Sequence, residues 1–517
     1  MFGYSALEAK ELTGKGGRGN AACSGLVQIA LEGQKKLPDG GKRPYQADWQ
    51  AECFLRWGIS IGLLDYHAQT DSCSLSELGK RYAAAEAGSA EEKEILGEAY
   101  LSYPPAVRVL SLLDMQGHLT KYEIGRQLGF IGEAGFTSIS QNMFVSSYCM
   151  ETDKQEKQKL RANAEGSSDK YARMIASWLC DIGWAVQDGK EVEESYAGMV
   201  FRMKIGQAYR ITYQGRKNLK RATGSSSSKR LPKRVFWDML ATRGTDKEYK
   251  RNKRAVLLLA LKRERTLEQL RQELEKHGMT ESIESILDDI KSFQNIGLSV
   301  TEKGAQYKLA EEIIGLELPK RYEHASKSEL SVRKDEIRDR LKHLDHKYLL
   351  LMDLSWDKDT NREFEIETMD LLTNELGYHG EHLGGASKPD GLFYLDKQGV
   401  IVDTKAYSRG YSLPVSQADE MIRYIEENKA RGEINSNHWW EKFGMQTEKF
   451  YYLFVSSCFI SGYRDRLKYI SMRVCGGAVS AENLLLLAER LKSGEMKKAE
   501  IFDCFKNDEI MVQETEV

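Results

Sequence analysis

Two short apolar runs, residues 392–395 and 400–406, flank the turn signal Asp396, Lys397, Gln398 and Gly399, and this pattern predicts a β-hairpin. Side chains alternate between the two faces of a strand, and residues two apart stand side by side at about 7 Å. Asp403 and Lys405 therefore share one face, while Val402 and Thr404 point the other way. Asp390, which follows Pro389 at the start of the first strand, falls opposite Asp403 across the hairpin. Two carboxylates and one ammonium are thus expected at a single spot on a pair of strands.

Carboxylate oxygens suit Mg2+, a hard cation that binds at about 2.1 Å and keeps several of its waters. Asp390 and Asp403 are the expected metal ligands. A cation held by them would acidify a bound water, orient it for in-line attack on phosphorus and shield charge on a scissile phosphate. Lys405 would steady the attacking water or the charge that develops on the phosphate. Glu363, Glu365 and Glu367 lie in a predicted helix upstream, and Glu365 is the one expected to reach the site. Taken alone, Asp…Asp-x-Lys also suits a surface hairpin with scattered charges, because Pro-Asp-Gly is an ordinary turn sequence.

The flanking residues narrow that choice. His382-Leu383-Gly384-Gly385, Lys388-Pro389-Asp390-Gly391, Val402-Asp403-Thr404-Lys405-Ala406-Tyr407-Ser408, Leu413-Pro414 and Gln417-Ala418-Asp419-Glu420-Met421 resemble the cleavage domain of the FokI-like type IIS restriction endonucleases. The resemblance runs from about Lys327 to the C-terminus. It extends upstream through Phe54-Leu55-Arg56-Trp57, Ser102-Tyr103-Pro104-Pro105-Ala106 and Glu165-Gly166-Ser167-Ser168-Asp169-Lys170-Tyr171-Ala172-Arg173-Met174. It implies a multidomain α+β chain, with mainly helical winged-helix subdomains that recognise DNA and a C-terminal α/β nuclease of the PD-(D/E)XK restriction-endonuclease type. The expected divisions are residues 1–103, 104–224 and 225–322 for three recognition subdomains and 326–517 for the nuclease.

An independent pattern supports the helical half. Three times an apolar helical stretch with an aromatic residue ends in Ile-Gly: Trp57 to Ile61-Gly62, Trp178 to Ile182-Gly183, and Phe293 to Ile296-Gly297. Glycine just past a helix supplies the left-handed residue that turns the chain into a strand. Further helices are expected after Ser76 and Thr212. Helices followed by a small hairpin make a winged helix, a variant of helix-turn-helix binding; a generic helical domain with glycine caps is the plainer alternative.

In the middle copy, Met174, Ile175, Trp178, Leu179 and Ile182 are expected on one buried face, with Lys170, Arg173 and Ser177 outside it. Arg and Lys read guanine in the major groove, and Glu can accept from a cytosine amino group. The resemblance places base contacts on Glu165, Lys170 and Arg173, with Arg18 and Trp49 from the first subdomain. It also implies the asymmetric site GGATG, cut at a fixed distance outside it. Ala162 departs from the family's asparagine before the recognition helix, and the family's N-terminal arm has no counterpart before Met1.

Residues 215–234 hold eight cations and no acid, and read as a mobile linker that attracts phosphates, or as one kept soluble by its charge. Arg251, Lys253 and Arg254 suggest only the exposed edge of a helix. A hinge is expected near residues 323–327, before a charged helix over 327–344, which would let the nuclease leave a parking position on the recognition half. One catalytic cluster cuts one strand. The resemblance therefore implies a transient homodimer of nuclease domains, with Asp419 and Arg423 pairing across a two-fold axis; an intrahelical ion pair is their plainer reading.

Composition excludes several classes. The net charge is −2, so DNA contact must come from local patches. Eight cysteines without a Cys-x-x-Cys pair argue against zinc modules and a disulfide framework, and suit a reducing prokaryotic cytoplasm. No signal peptide or membrane span is legible. Neither a zinc-type histidine motif nor a nucleotide or methyl-donor glycine motif occurs, so no ATP or S-adenosylmethionine requirement is expected. A separate DNA methyltransferase would then protect the host. The expected activity is that of a type II site-specific deoxyribonuclease acting on double-stranded DNA; a strand-specific nicking enzyme or a catalytically silent DNA-binding regulator is the alternative.

Overall fold

The computed structural model describes residues 56–512 apart from 68–71, 134–138, 167–169, 197–198, 225–229, 242–243, 245, 319–325, 385–386 and 433–437. Arg18 and Trp49 lie outside the described residues. All three Ile-Gly signals close helices as expected: Gly62, Gly183 and Gly297 have φ of 78°, 76° and 97°. After Gly62 come the hairpin β1 (Leu64–His67) and β2 (Ser72–Leu75) and helix α1 (Glu77–Ala84). The Ser76 hydroxyl caps α1 by accepting from Gly79 N–H, and donates to the Gly62 carbonyl at 2.6 Å.

The second unit runs α2 (Ala90–Ser102), α3 (Pro104–Gln116), β3 (Leu119–Thr120), α4 (Lys121–Gly125), α5 (Gln141–Met150), α6 (Lys154–Gly166), α7 (Lys170–Asp181), β4 (Ala185–Gln187), β5 (Lys190–Tyr196), β6 (Met199–Ile205), β7 (Ala208–Ile211) and α8 (Tyr213–Thr223). Helices α3, α4 and α7 with the sheet β3-β7-β4 make a winged helix, into which α5, α6 and the β5-β6 hairpin are inserted. The third unit is β8 (Lys233–Arg234), α9 (Lys247–Ala260), β9 (Arg265–Thr266), α10 (Leu267–Lys276), α11 (Ile283–Asn295), β10 (Val300–Lys303), β11 (Gln306–Leu309) and β12 (Ile313–Ile314), with sheet order β10-β11-β9. The first two units share one apolar core, in which Trp57 stacks on Trp178 at 3.9 Å, whereas the third has a separate core into which Phe130 of the second unit also packs.

The C-terminal part comprises α12 (Glu329–Arg340), α13 (Leu350–Trp356), α14 (Asn361–Asp370), β13 (His379–His382), β14 (Gly391–Leu395), β15 (Gln398–Lys405), α15 (Val415–Ala430), β16 (Lys449–Ser456), α16 (Tyr463–Ser471), β17 (Gly476–Ser480) and α17 (Ala481–Ser493). The five strands lie in chain order. The first three pair antiparallel and the last three parallel. Alternation along the strands sends Phe393, Val400 and Val402 into the core under α13, α14 and α17, and Leu392 and Ile401 into the core under α15 and α16.

Several expectations are corrected. The hairpin turn is only Asp396 and Lys397, because Leu395 pairs with Gln398 and Asp396 takes the left-handed conformation at φ 51°. The charged helix over 327–344 is shorter, Glu329–Arg340, with Ser328 as its cap. Met174 is 46% exposed. The buried stripe of α7 is Ala172, Ile175, Ala176, Leu179 and Ile182, and Met174 lies a quarter-turn off it. Lys253 and Arg254 are buried, not edge residues: Arg254 pairs with Asp289 (2.7 Å) and Glu133 (2.5 Å), and Lys253 with Asp289 and Glu281. Lys233 is fully buried and donates to the carbonyl of Leu101 at 2.8 Å, so that end of the cationic segment is pinned. Ser225–Ser228, read as a flexible linker, lie outside the described residues.

Polar contacts join the halves. Lys327 pairs with Glu281 (2.7 Å) and Arg338 with Asp288 (3.0 Å), which tie the start of the C-terminal part to the third unit. Arg126 of the second unit pairs with Asp370 on α14 at 2.6 Å.

Candidate active site

The pairing of Gly391 with Val402 carries on by one step to set Asp390 opposite Asp403. Asp403 is 5% exposed, and its Oδ2 receives Lys405 Nζ at 2.8 Å. Both point from β15 toward the same face, as the alternation predicts. Asp390 Oδ2 accepts from the Thr404 backbone N–H (2.7 Å) and hydroxyl (3.0 Å). Sequence alternation assigned Thr404 no part here. Asp390 precedes β14, so its side chain is free of the pleat and turns to the Thr404 edge.

Burial and the Asp403 carboxylate push Asp390 well above the ordinary carboxylate range, with Lys405 acting against them. Burial likewise raises Asp403, opposed by Lys405. Burial works against the Lys405 ammonium, yet Asp403 and Asp390 raise it to about 12. Glu365 on α14 adds to the charge felt by Asp390 and Asp403, and Glu420 on α15 to that felt by Asp403. Two buried carboxylates, Asp390 and Asp403, against the one Lys405 ammonium leave an excess of buried acid, with Glu365 and Glu420 adding negative charge at its edge. An all-oxygen donor set with such an excess fits a hard divalent cation. Among the described residues no group of three or more His, Cys, Asp or Glu side chains is close enough to hold a metal ion. A site built on Asp390 and Asp403 would rely on water for its remaining ligands, as Mg2+ sites usually do.

Glu365 is 19% exposed at its side chain and its Oε2 lies 3.1 Å from His382 Nε2. The sequence reading chose Glu365 but gave His382 no role, although His382 stands in the very stretch that carried the resemblance. Glu420 and Thr404 were also missed; nothing in their type or spacing marks them.

Comparison with known proteins is decisive about kinship. Residues 1–85 match the description FokI, recognition domain, subdomain 1; residues 92–227 its subdomain 2; residues 240–305 the FokI D3 domain; and residues 327–511 the FokI cleavage domain. The chain is 41% identical over 515 residues to the type II restriction enzyme FokI of Planomicrobium okeanokoites, covering 97% of this chain and 88% of that one. The chain belongs to the FokI family of type II restriction enzymes. It is also 32% identical to the type II restriction enzyme StsI of Streptococcus sanguinis, over 95% of this chain and 84% of the relative. Among solved structures, restriction endonuclease FokI superposes with a TM-score of 0.86 at 39% identity, covering 95% of this chain and 89% of that chain. FokI bound to DNA superposes at 0.85 and 39% identity, covering 94% and 85%.

With the FokI family established, the remaining expected residues can be placed. Glu165 lies in the last turn of α6 and Lys170 opens α7, but their side chains lie outside the described part. Arg173 sits partly exposed on α7, off the buried stripe. Asp419 and Arg423 do not pair with each other within α15: Asp419 accepts from Tyr469 Oη (3.2 Å), while Arg423 pairs with Glu427 (3.1 Å) and Glu420 (3.4 Å). The intrahelical Asp419 to Arg423 pair is thereby replaced, because Arg423 has nearer carboxylates three residues before it and four after. No helix among the described residues is long and apolar enough to cross a membrane.

Proposed function

We propose that this type II site-specific deoxyribonuclease binds a short asymmetric DNA site through its winged-helix half and hydrolyses both strands at a fixed distance outside it. The observation that carries this reading is the buried Asp390 and Asp403 pair, each raised toward the protonated form, with Lys405 2.8 Å from Asp403. Asp390 and Asp403 would hold Mg2+, which when bound supplies an activated water and shields phosphate charge. Lys405, protonated throughout the physiological range, offsets charge that builds on the phosphate. Thr404 fixes the Asp390 carboxylate through two hydrogen bonds, so that this ligand need not reorganise. Glu365 borders the pair from α14.

Arg18, Trp49, Glu165, Lys170 and Arg173 would read the bases, and GGATG is the sequence to test first. Because one cluster cuts one strand, double-strand cleavage calls for a second nuclease copy. A transient homodimer through α15, with Asp419 and Arg423 exchanging partners across the two-fold axis, would supply it. A separate DNA methyltransferase would protect the host's own sites, and a bacterial cytoplasm is the expected setting.

The test is incubation of the purified protein and Mg2+ with supercoiled plasmids that carry or lack GGATG. Discrete linear fragments support the reading. Open circles alone indicate a nicking enzyme, and unchanged plasmid a silent DNA-binding protein; either overturns it. Asp403→Ala is expected to abolish cutting and retain site-specific binding, and run-off sequencing gives the offset of each cut.

A further inference from the structure

His382 lies on β13 opposite Gly391 of β14. A Cβ at Gly391 would fall 2.5 Å from Met369 Sδ, so α14 crosses the sheet here at contact distance. Met369 and Glu365 are one helical turn apart and face the same way. His382, one strand outward from Gly391, reaches Glu365 with Nε2 3.1 Å from Oε2, and its side chain is 11% exposed. The other side of the ring lies against Gly384, at φ 55°, where a Cβ would meet ring Cε1 at 2.9 Å. Leu383 and Gly384 both donate backbone N–H to the carbonyl of Asp390, at 2.8 and 3.3 Å. The imidazole is therefore lodged between the Glu365 carboxylate and the backbone that fixes Asp390.

Glu365 needs such a tether. Its charge is felt by both Asp390 and Asp403. A long, partly exposed side chain turns to water unless a donor retains it. Among the described residues, His382 is the hydrogen-bond partner of its carboxylate.

We propose that His382 is a positioning residue for cleavage: its Nε2–H holds the Glu365 carboxylate beside the Asp390 and Asp403 pair. The inference rests on reading that pair as the cleavage site. The test uses the full-length chain on a cleavable plasmid with Mg2+, comparing His382→Ala, His382→Gln, Glu365→Gln and the His382→Ala/Glu365→Gln double variant. His382→Ala is expected to lower kcat by about 10- to 100-fold, the usual cost of losing an outer hydrogen-bond partner, with KM for DNA unchanged. His382→Gln, whose amide can still donate, should recover a large part. The double variant should be no slower than Glu365→Gln, since the histidine acts through the glutamate. Wild-type rates in His382→Ala, losses that multiply in the double variant, or no recovery with Gln would each overturn the role. If alanine unfolds the edge strand, His382→Gln against His382→Asn carries the same comparison, because the shorter amide cannot reach Glu365. The two readings fail differently: a wild-type chain that cuts nothing, or an Asp403→Ala variant that cuts normally, sinks the cleavage site and this role with it, whereas normal wild-type cutting with an indifferent His382→Ala sinks the role alone.

Discussion

Replacing Arg126 by alanine removes the one ion pair between the second recognition unit and the helix that carries Glu365 described above. Asp370, its partner, is 3% exposed. Burial opposes the Asp370 charge, but Arg126 and Lys347 together with the Asn374 and Tyr348 donors hold it below the usual carboxylate range. Without Arg126 the nearest cation is Lys347 at 3.9 Å, and Tyr348 Oη at 2.8 Å remains the stronger support. Truncating one member of a buried pair costs about 3 to 5 kcal/mol. Arg126 is 39% exposed at its side chain, so water replaces part of it, and about 2 kcal/mol is the reasonable share. Asp370 keeps the Tyr348 and Asn374 donors of its own domain, so the loss falls on docking between the halves. At 1.4 kcal/mol per factor of ten it enlarges the undocked population by about 30-fold. Energy transfer between dyes on the two halves reads that population directly, and cutting of DNA without a recognition site should rise alongside it. An Arg126→Ala protein with wild-type energy transfer and no added off-site cutting would refute the argument. So would an equal drop in the thermal stability of both halves, which would mean that Arg126 supports folding and not docking.

Acid should weaken a second buried charge cluster. Arg254 and Lys250 hold buried Glu133 at about 2 against burial, and Lys253 and Lys327 do the same for Glu281. A folded pKa below the unfolded one gives stability that is complete above about pH 4.5 and lost as pH falls toward 2, up to about 3 kcal/mol per group. Thermal unfolding from pH 7 to 2.5 checks this, and Lys327→Met should flatten the Glu281 share of the decline. Gly391→Ala should cost about 1 to 3 kcal/mol in urea unfolding by wedging Met369 and α14 off the sheet, with slower cutting; full stability would mean that α14 yields without strain. Arg173→Ala should relax sequence choice by about 1 to 3 kcal/mol at one base pair, visible as new fragments at near-cognate sites, and an unchanged pattern would remove Arg173 from base reading.

The geometry of the hairpin was legible because it is local: alternation sets Asp403 beside Lys405, and antiparallel pairing sets Asp390 across from Asp403. The three Ile-Gly helix ends were legible for the same reason, since a left-handed residue after a helix is a near-neighbour requirement. What could not be read depends on partners far along the chain. Arg254 is buried because Asp289 and Glu133 neutralise it, and charge by itself only predicts exposure. Lys233 is buried because carbonyls at the ends of α2 and α8 accept from it. Thr404 was missed because alternation governs residues within strands, and Asp390, which turns to it, stands just outside one. Met174 was misread because a stripe of alanines, small but fully covered, completes the α7 face in its place.

These long-range charges also set how the two halves meet. The nuclease core closes almost wholly on its own residues, with Met143 and Ile139 the recognition-half side chains that pack into it among the described residues. Glu365 and Asp370 lie five positions apart on α14, about 140° around the helix, so one face serves the sheet and another meets Arg126. A broad apolar seam would hold the halves together permanently, since separating it exposes the whole buried area to water. The contacts made by Arg126 and Lys327 cost less to open, because these two partly exposed cations regain hydration when the halves part. Helix α14 thus carries both Asp370, which meets Arg126 of the recognition half, and Glu365, whose charge bears on the Asp390 and Asp403 pair.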